Sequence, residues 1–274
     1  MRTTLGVLAS VALAWLPGVA RAQGAAPEPT DGRAVLERMR SAYAGRWYQS
    51  LAFVQHTTFV RPGGTRDTAT WYESLKGPDL LRIDFGEPTA GRGGIFTAES
   101  SYVFTDGALS RSGAQGNPFL PLIMGVYLQP LEATVRGVAH HGFDLTRMRR
   151  AAWEGRPVYV VGAAAPADST LPQFWVDTER LVVVRMLASS APGAPMLDVR
   201  LDDYVKVGGG WLATSIAMSA GGAPRQLEEY TEWSATAPVA DELFDRARWT
   251  TARHWALGER PGSLWTTRAK KGPR

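Results

Sequence analysis

The spacing of apolar residues changes twice along the chain. In "TDGRAVLERMRSAY", Val35, Leu36, Met39 and Tyr43 recur at helical spacing, and Thr30 or Asp31 stands where an N-cap belongs. The period then drops to two. "SLAFVQHTTFV", "DTATWYESL", "LLRIDF", "GIFTAES" and "SYVFTDGALSR" are β-branched or aromatic runs broken by Gly, Pro and Asp, and Asp106-Gly107 is a favoured two-residue hairpin turn. Alternation returns at Phe143 and continues through "RPVYVVGA", "LPQFWVD", "LVVVRMLAS", "MLDVRLDDYVKV", "WLATSIAMSA" and "RQLEEYTEWSA". The pattern predicts an α+β, mainly β chain. We expect a single curved antiparallel sheet, an incomplete barrel of about 10–11 strands, with an N-terminal helix and further helices on one face.

The stretch "NPFLPLIMGVYLQPLEATV", residues 117–135, interrupts the sheet. Pro118 and Pro121 fit a first helical turn and Pro130 cannot continue a helix, so two short helices are expected at about 118–128 and 130–139. Leu120, Ile123, Met124, Tyr127, Leu128 and Leu131 form one stripe, and Leu122, Val126 and Val135 widen it beyond a normal core-facing face. Either these helices plug the concave side of the sheet, or they form a lid whose surplus apolar area meets an acyl chain. Several strands are apolar on both faces, which also calls for a cover or a ligand.

The first 24 residues run from Arg2 through an apolar stretch, Leu5 to Leu16, to Ala20-Arg21-Ala22. That is the order of a secretory signal peptide, so residues 1–22 are expected to be removed by cleavage near Ala22, leaving an exported, soluble protein. The apolar run is shorter than the roughly 20 residues a spanning helix needs. Residues 23–29 read as a leader and 30–249 as one folded unit. The absence of cysteine excludes disulfides, thiolate metal sites and a lipid-modified cysteine.

Charge is uneven. Residues 23–245 hold 20 Lys and Arg against 25 acids, whereas 246–274 hold 8 against Glu259 alone. The basic, Gly/Pro-punctuated segment 250–274 is expected to be disordered. Its alternative role is contact with an anionic membrane through basic residues plus Trp255 and Trp265.

Catalytic signals are weak. His140 and His141 are adjacent and diverge, His56 and His254 stand alone, and no helical His pair is present to hold a metal, so these are expected to be ordinary surface or helix-end histidines. Asp202-Asp203 and Glu228-Glu229 point to opposite faces of their strands. One of each pair, joined by Asp177, would make an inward carboxylate pair; the plainer expectation is outer-face or edge charge. No serine lies in a hydrolase elbow and no glycine run has phosphate-loop spacing. The scattered basic residues of the body do not suggest nucleic acid. No enzyme, cofactor or metal is expected.

The order of motifs nevertheless carries a resemblance. A first helix, Phe53-Val54-Gln55, "GPDLLRIDF", "YVFTDGALSR" running into "NPFLPLIMG", and a closing "DELFDRARW" resemble the LolA family of periplasmic lipoprotein carriers and its wider group of outer-membrane lipoprotein-sorting proteins, over residues 30–249. The resemblance implies an incomplete β-barrel whose concave apolar cavity is closed by helices and holds acyl chains. Two departures stand out: Gly77 precedes Pro78 where the carrier has a basic residue that latches the lid, Lys76 lying one place earlier, and the basic tail is outside the pattern. The expected function is a periplasmic, monomeric carrier or binding protein for lipid or lipoprotein acyl chains, with inner- and outer-membrane lipoprotein-handling proteins as partners. Its expected lining is Phe53, Trp71, Leu81, Phe104, Leu122, Ile123, Val126, Tyr159, Phe174, Ile216 and Met218. The alternatives are an envelope sensor or interaction domain on the same fold, and a carboxylate-dependent hydrolase.

Overall fold

The computed structural model describes residues 27–189 and 194–268. The signal peptide assigned to 1–22 lies outside the described residues, as do 23–26 of the leader and 269–274 of the tail. Helix α1 (Gly32–Tyr43) begins at Asp31, whose Oδ1 accepts the Ala34 N–H at 2.8 Å. Six strands follow: β1 (Ser50–Val60), β2 (Arg66–Lys76), β3 (Leu80–Phe85), β4 (Gly93–Phe96), β5 (Ser101–Thr105) and β6 (Ala108–Gly113). A π-helical turn, Pro121–Gly125, then runs into α2 (Val126–Leu128), and α3 spans Leu131–His140. The second half comprises β7 (Met148–Trp153), β8 (Arg156–Val161), β9 (Gln173–Asp177), β10 (Val183–Ser189), β11 (Met196–Asp202), β12 (Val205–Val207), β13 (Gly210–Leu212), β14 (Ser215–Ala220), β15 (Ala223–Ser234) and β16 (Thr266–Thr267).

The strands form one antiparallel sheet in the order β6-β5-β4-β3-β2-β1-β15-β14-β11-β10-β9-β8-β7, open between β6 and β7, with β16 added to β15. Among the described residues fourteen strands thus stand where 10–11 were expected, with β12 and β13 as a separate hairpin. The separate hairpin has a local cause. "MLDVRLDDYVKV" breaks at Asp203, which takes a left-handed φ of 53°, and "WLATSIAMSA" breaks at Thr214, whose hydroxyl donates to the Asp203 carbonyl. Those two breaks lift β12 and β13 off the sheet. Asp106-Gly107 and Glu154-Gly155 both have two positive φ values, as their hairpins require.

Helices cover one face, here called inner. Val35, Leu36 and Met39 of α1 are fully buried on it, with Phe143, Phe174 and Val161 beneath. The apolar character of residues 120–128 on every side now has a cause. This segment lies between the sheet and the other two helices, and Gly137 of α3 rides so close to Pro121 that a Cβ there would sit 3.2 Å from the proline Cβ. Leu120, Leu122, Met124, Val126 and Tyr127 are all buried.

The outer face is covered too, by the chain's own C-terminal segment. Ala52 and Val54 of β1 pack with Val239, Leu243 and Trp255, and Trp265 stacks 5.0 Å from Trp255. Beneath them lies the fully buried Arg82, paired through Nε and Nη2 with Asp84 and donating to the carbonyls of Leu243 and Trp249. The expectation of a disordered tail is therefore corrected for residues 250–268. Its charges are also used inside the molecule: Arg260 pairs with Glu232, and Arg268 with Asp203 and Glu229. The acidic body and basic end neutralise one another, and the two tryptophans assigned to membrane contact are occupied in packing. His254, expected to be an ordinary histidine, is buried, with Nδ1 accepting from Ala256 N–H and Nε2 donating to Asp84 at 3.1 Å.

Candidate functional site: an apolar cavity under the helical layer

The lid and the inner face meet at a cavity of about 40 Å³ lined by Leu122, Ile123 and Tyr127 from the lid, Leu75, Leu201, Ile216 and Tyr230 from the sheet, and Trp47, Tyr48 and Trp211 beside them. Aromatic rings occupy most of what the strands enclose. Trp47 stacks on Tyr127 with centroids 3.6 Å apart and planes at 17°, and Tyr43 stands edge-on to both. The Tyr127 hydroxyl donates to the Leu181 carbonyl at 2.9 Å. The glycine run 208–210 serves this arrangement: a Cβ on Gly210 would meet the Trp47 ring at 2.7 Å. A second apolar space of about 190 Å³ opens where the lid begins, between Phe96, Pro118 and Phe119 on one side and Met186, Val199 and Met218 on the other.

Of the expected lining, Leu122, Ile123 and Ile216 line the cavity and Met218 the opening. Phe53 is buried beside them on the inner face, its ring tilted against Tyr230 at 4.3 Å, and Val126 and Leu81 are packed in the same core. Trp71 shares that face but sits with Phe59 and Phe85 farther along the strands. Three assignments are corrected. Phe104 lies on the outer face, stacked 4.3 Å from Trp249. Tyr159 is under α1, accepting from Arg38 and donating to Glu28, and Phe174 packs edge-on to Phe143. Trp47, Tyr48, Trp211 and Tyr230 are lining residues the pattern missed; the glycine run beside Trp211 was the available signal.

Among the described residues no basic side chain ties the helical segment to Pro78. Lys76 reaches the other way, donating to the Val239 carbonyl and pairing with Asp241, while Gly77 leaves room for Leu128. The lid is held instead by Tyr127, by Arg40 donating to the Gln129 carbonyl at 3.1 Å, and by the Arg33–Glu132 pair.

The carboxylates also differ from the plain expectation. Glu228 faces inward and is buried, on the same face as Glu73 of β2 across the intervening β1, rather than beside Asp177. Burial, then repulsion from Glu228 and Asp84, pushes the Glu73 carboxyl well above its usual range. Burial pushes Glu228 up to about 7, against hydrogen bonds from Gln226 and Gln55 that lower it. Asp177 is buried too, but accepts from Arg156 and the turn N–H groups of Glu179 and Arg180. Asp203 pairs with Arg268. His140 and His141 cap the end of α3 against the Ala114 and Ala98 carbonyls, as helix-end histidines do.

No family model matches the chain, and no curated protein matches its sequence. Solved structures do match in shape. A DUF1329 family protein from Desulfovibrio piger aligns with a TM-score of 0.56 at 15% identity, over 80% of this chain and 97% of that one. A LolA superfamily protein from Nitrosomonas europaea aligns with a TM-score of 0.52 at 13% identity, over 79% and 98%. A putative outer membrane lipoprotein-sorting protein domain from Vibrio parahaemolyticus aligns with a TM-score of 0.50 at 11% identity, over 78% and 97%. An open antiparallel sheet with a helical layer on its inner face is therefore the LolA-like fold, and this chain has it.

Proposed function

We propose that this protein is a periplasmic carrier or binding protein that holds lipid or lipoprotein acyl chains between the inner face of its sheet and the lid formed by residues 118–140. The observation that supports this best is the placement of Leu122, Ile123 and Tyr127 over an apolar cavity, with a second apolar space at Phe119 and Met218 where the same helical segment begins. A cavity of about 40 Å³ does not admit a chain, so this is the closed form. Loading requires the Tyr127 ring to leave Trp47. Each methylene then buried contributes about 0.8 kcal/mol, which offsets the lost stacking after a few carbons. Release follows when a membrane-bound partner favours the open form.

The test is direct. The mature protein is purified, extracted for lipid mass spectrometry and titrated with a fluorescent fatty probe. Bound lipid, saturable probe binding and loss of both in Ile123→Asp are expected. Absence of lipid and of probe binding, with Ile123→Asp indistinguishable from wild type, excludes carriage.

A further inference from the structure

The inner face carries a polar row that the lid mechanism does not use. Phe53 of β1 is paired with Glu73 of β2, Gln55 with Tyr230 of β15, and Thr57 with Glu228 of β15. Gln55 thus lies diagonally between Glu73 and Glu228, within reach of both. All three are nearly inaccessible: Gln55 is 1% exposed, Glu73 5% and Glu228 8%. The Gln55 amide nitrogen donates to Thr57 at 2.9 Å, and its buried oxygen has no partner. Gln226 donates to Glu228 at 2.6 Å. Among the described residues no cation pairs with either carboxyl and no third acid or histidine joins them in a metal-binding group.

This row adjoins the cavity. Leu75 lies two residues from Glu73 on the same strand, Tyr230 two from Glu228, and Ile216 is paired with Glu228; all three line the cavity. Buried carboxyls without a counter-charge, beside an amide oxygen without a donor, are costly in a core and are retained where a ligand completes them.

We propose that Glu73, Gln55 and Glu228 form a head-group subsite that takes the ammonium group of an amphiphilic amine whose apolar chain lies under the lid. An ammonium offers three donors, and the site offers three acceptors, the Gln55 oxygen and one oxygen from each carboxyl. A carboxylate or phosphate head would set its own negative charge against two acids, with no cation among the described residues to offset it. The subsite rests on the reading that the cavity takes an apolar chain.

Dodecylamine, dodecanol and dodecanoate, each below its micelle concentration, are competed against a fluorescent fatty probe on the mature wild-type protein and on the Glu73→Gln/Glu228→Gln double variant. On the wild type the amine is expected to bind about tenfold or more tighter than dodecanoate, and the gap to widen from about pH 5 to pH 8 as Glu228 ionises. The other titratable group facing the pair is Tyr230; β3 contributes Ile83 and β14 Ile216 to that face, and Asp84 lies on the outer side. The variant is expected to lose this preference and its pH dependence, while dodecanol binding stays within about threefold. Equal competition by all three ligands on the wild type, or a preference that survives in the variant, overturns the subsite and leaves carriage standing. Failure of every chain to displace the probe removes both.

Discussion

Tyr127 and Trp47 join the lid to the loop that follows α1, their rings parallel within 17° and the tyrosine hydroxyl tied to the Leu181 carbonyl across the cavity. Tyr127 is thereby both latch and plug. Removing the ring empties the space an acyl chain needs and removes the contact that holds the lid down. Tyr127→Ala is expected to lower stability by about 3–5 kcal/mol, the cost of truncating a large buried aromatic, yet to bind the fluorescent fatty probe more tightly than wild type. Tyr127→Phe, which strands the Leu181 carbonyl, is expected to cost about 1–3 kcal/mol with little gain in binding. Urea denaturation and probe titration read the two effects separately. A plug with no ligand role gives the stability loss without the gain.

The outer face depends on one buried ion pair. Arg82 and Asp84 face the C-terminal segment, and the Trp249 ring covers the guanidinium at 3.9 Å. Asp84→Asn leaves Arg82 charged in a closed site and puts one acceptor oxygen, beside an NH2, where two oxygens serve Arg82 and His254. A loss of about 3–5 kcal/mol in urea denaturation is expected. Replacing both partners, as Arg82→Met with Asp84→Leu, is expected to recover much of it, because no uncompensated charge remains.

Glu73 and Glu228 make stability depend on pH in an unusual direction. Both carboxyls hold protons more tightly folded than unfolded, Glu228 moving from 4.5 to about 7. The folded state therefore binds more protons across that interval. The Glu228 contribution is complete below about pH 4.5 and is lost as pH rises through 7. Glu228→Gln removes the proton-dependent part. Its stability relative to wild type is expected to rise between pH 5 and pH 8 by about 2–3 kcal/mol in urea denaturation, with no such trend if Glu228 ionises normally.

The sequence showed the inner half of this molecule more readily than the outer half. The first helix and its Asp31 cap, the Asp106-Gly107 hairpin and the helical break at Pro130 followed from period and turn chemistry. Face assignment did not, and Phe104 shows why. Tyr102 and Phe104 are the large apolar residues of β5, and an apolar face is read as inward. Here that face is outward and buried by Trp249, the last residue of the closing "DELFDRARW", about 145 residues away in sequence, and nothing local in either segment marks the two rings as partners. Where both faces are covered, alternation no longer says which is inside. Glu228 failed for the opposite reason: a bulge at Val54/Gln55 shifts the register of β1 against β15, and nothing local marks the carboxyl as inward.

Met218 separates an entry route from mere core. Its side chain stands at the apolar opening with Phe119 and Phe96, half-buried, where added bulk displaces solvent rather than packed neighbours. Met218→Trp is expected to keep the urea midpoint near that of wild type, since overpacking is costly only where the surroundings are already full. If chains enter between the start of the lid and β14, the same substitution slows probe association about tenfold or more while leaving dissociation and affinity less changed, because a larger ring narrows the path without filling the cavity. Stopped-flow fluorescence gives both rates. An unchanged association rate places entry elsewhere, and the Tyr127 side of the lid is then the remaining route.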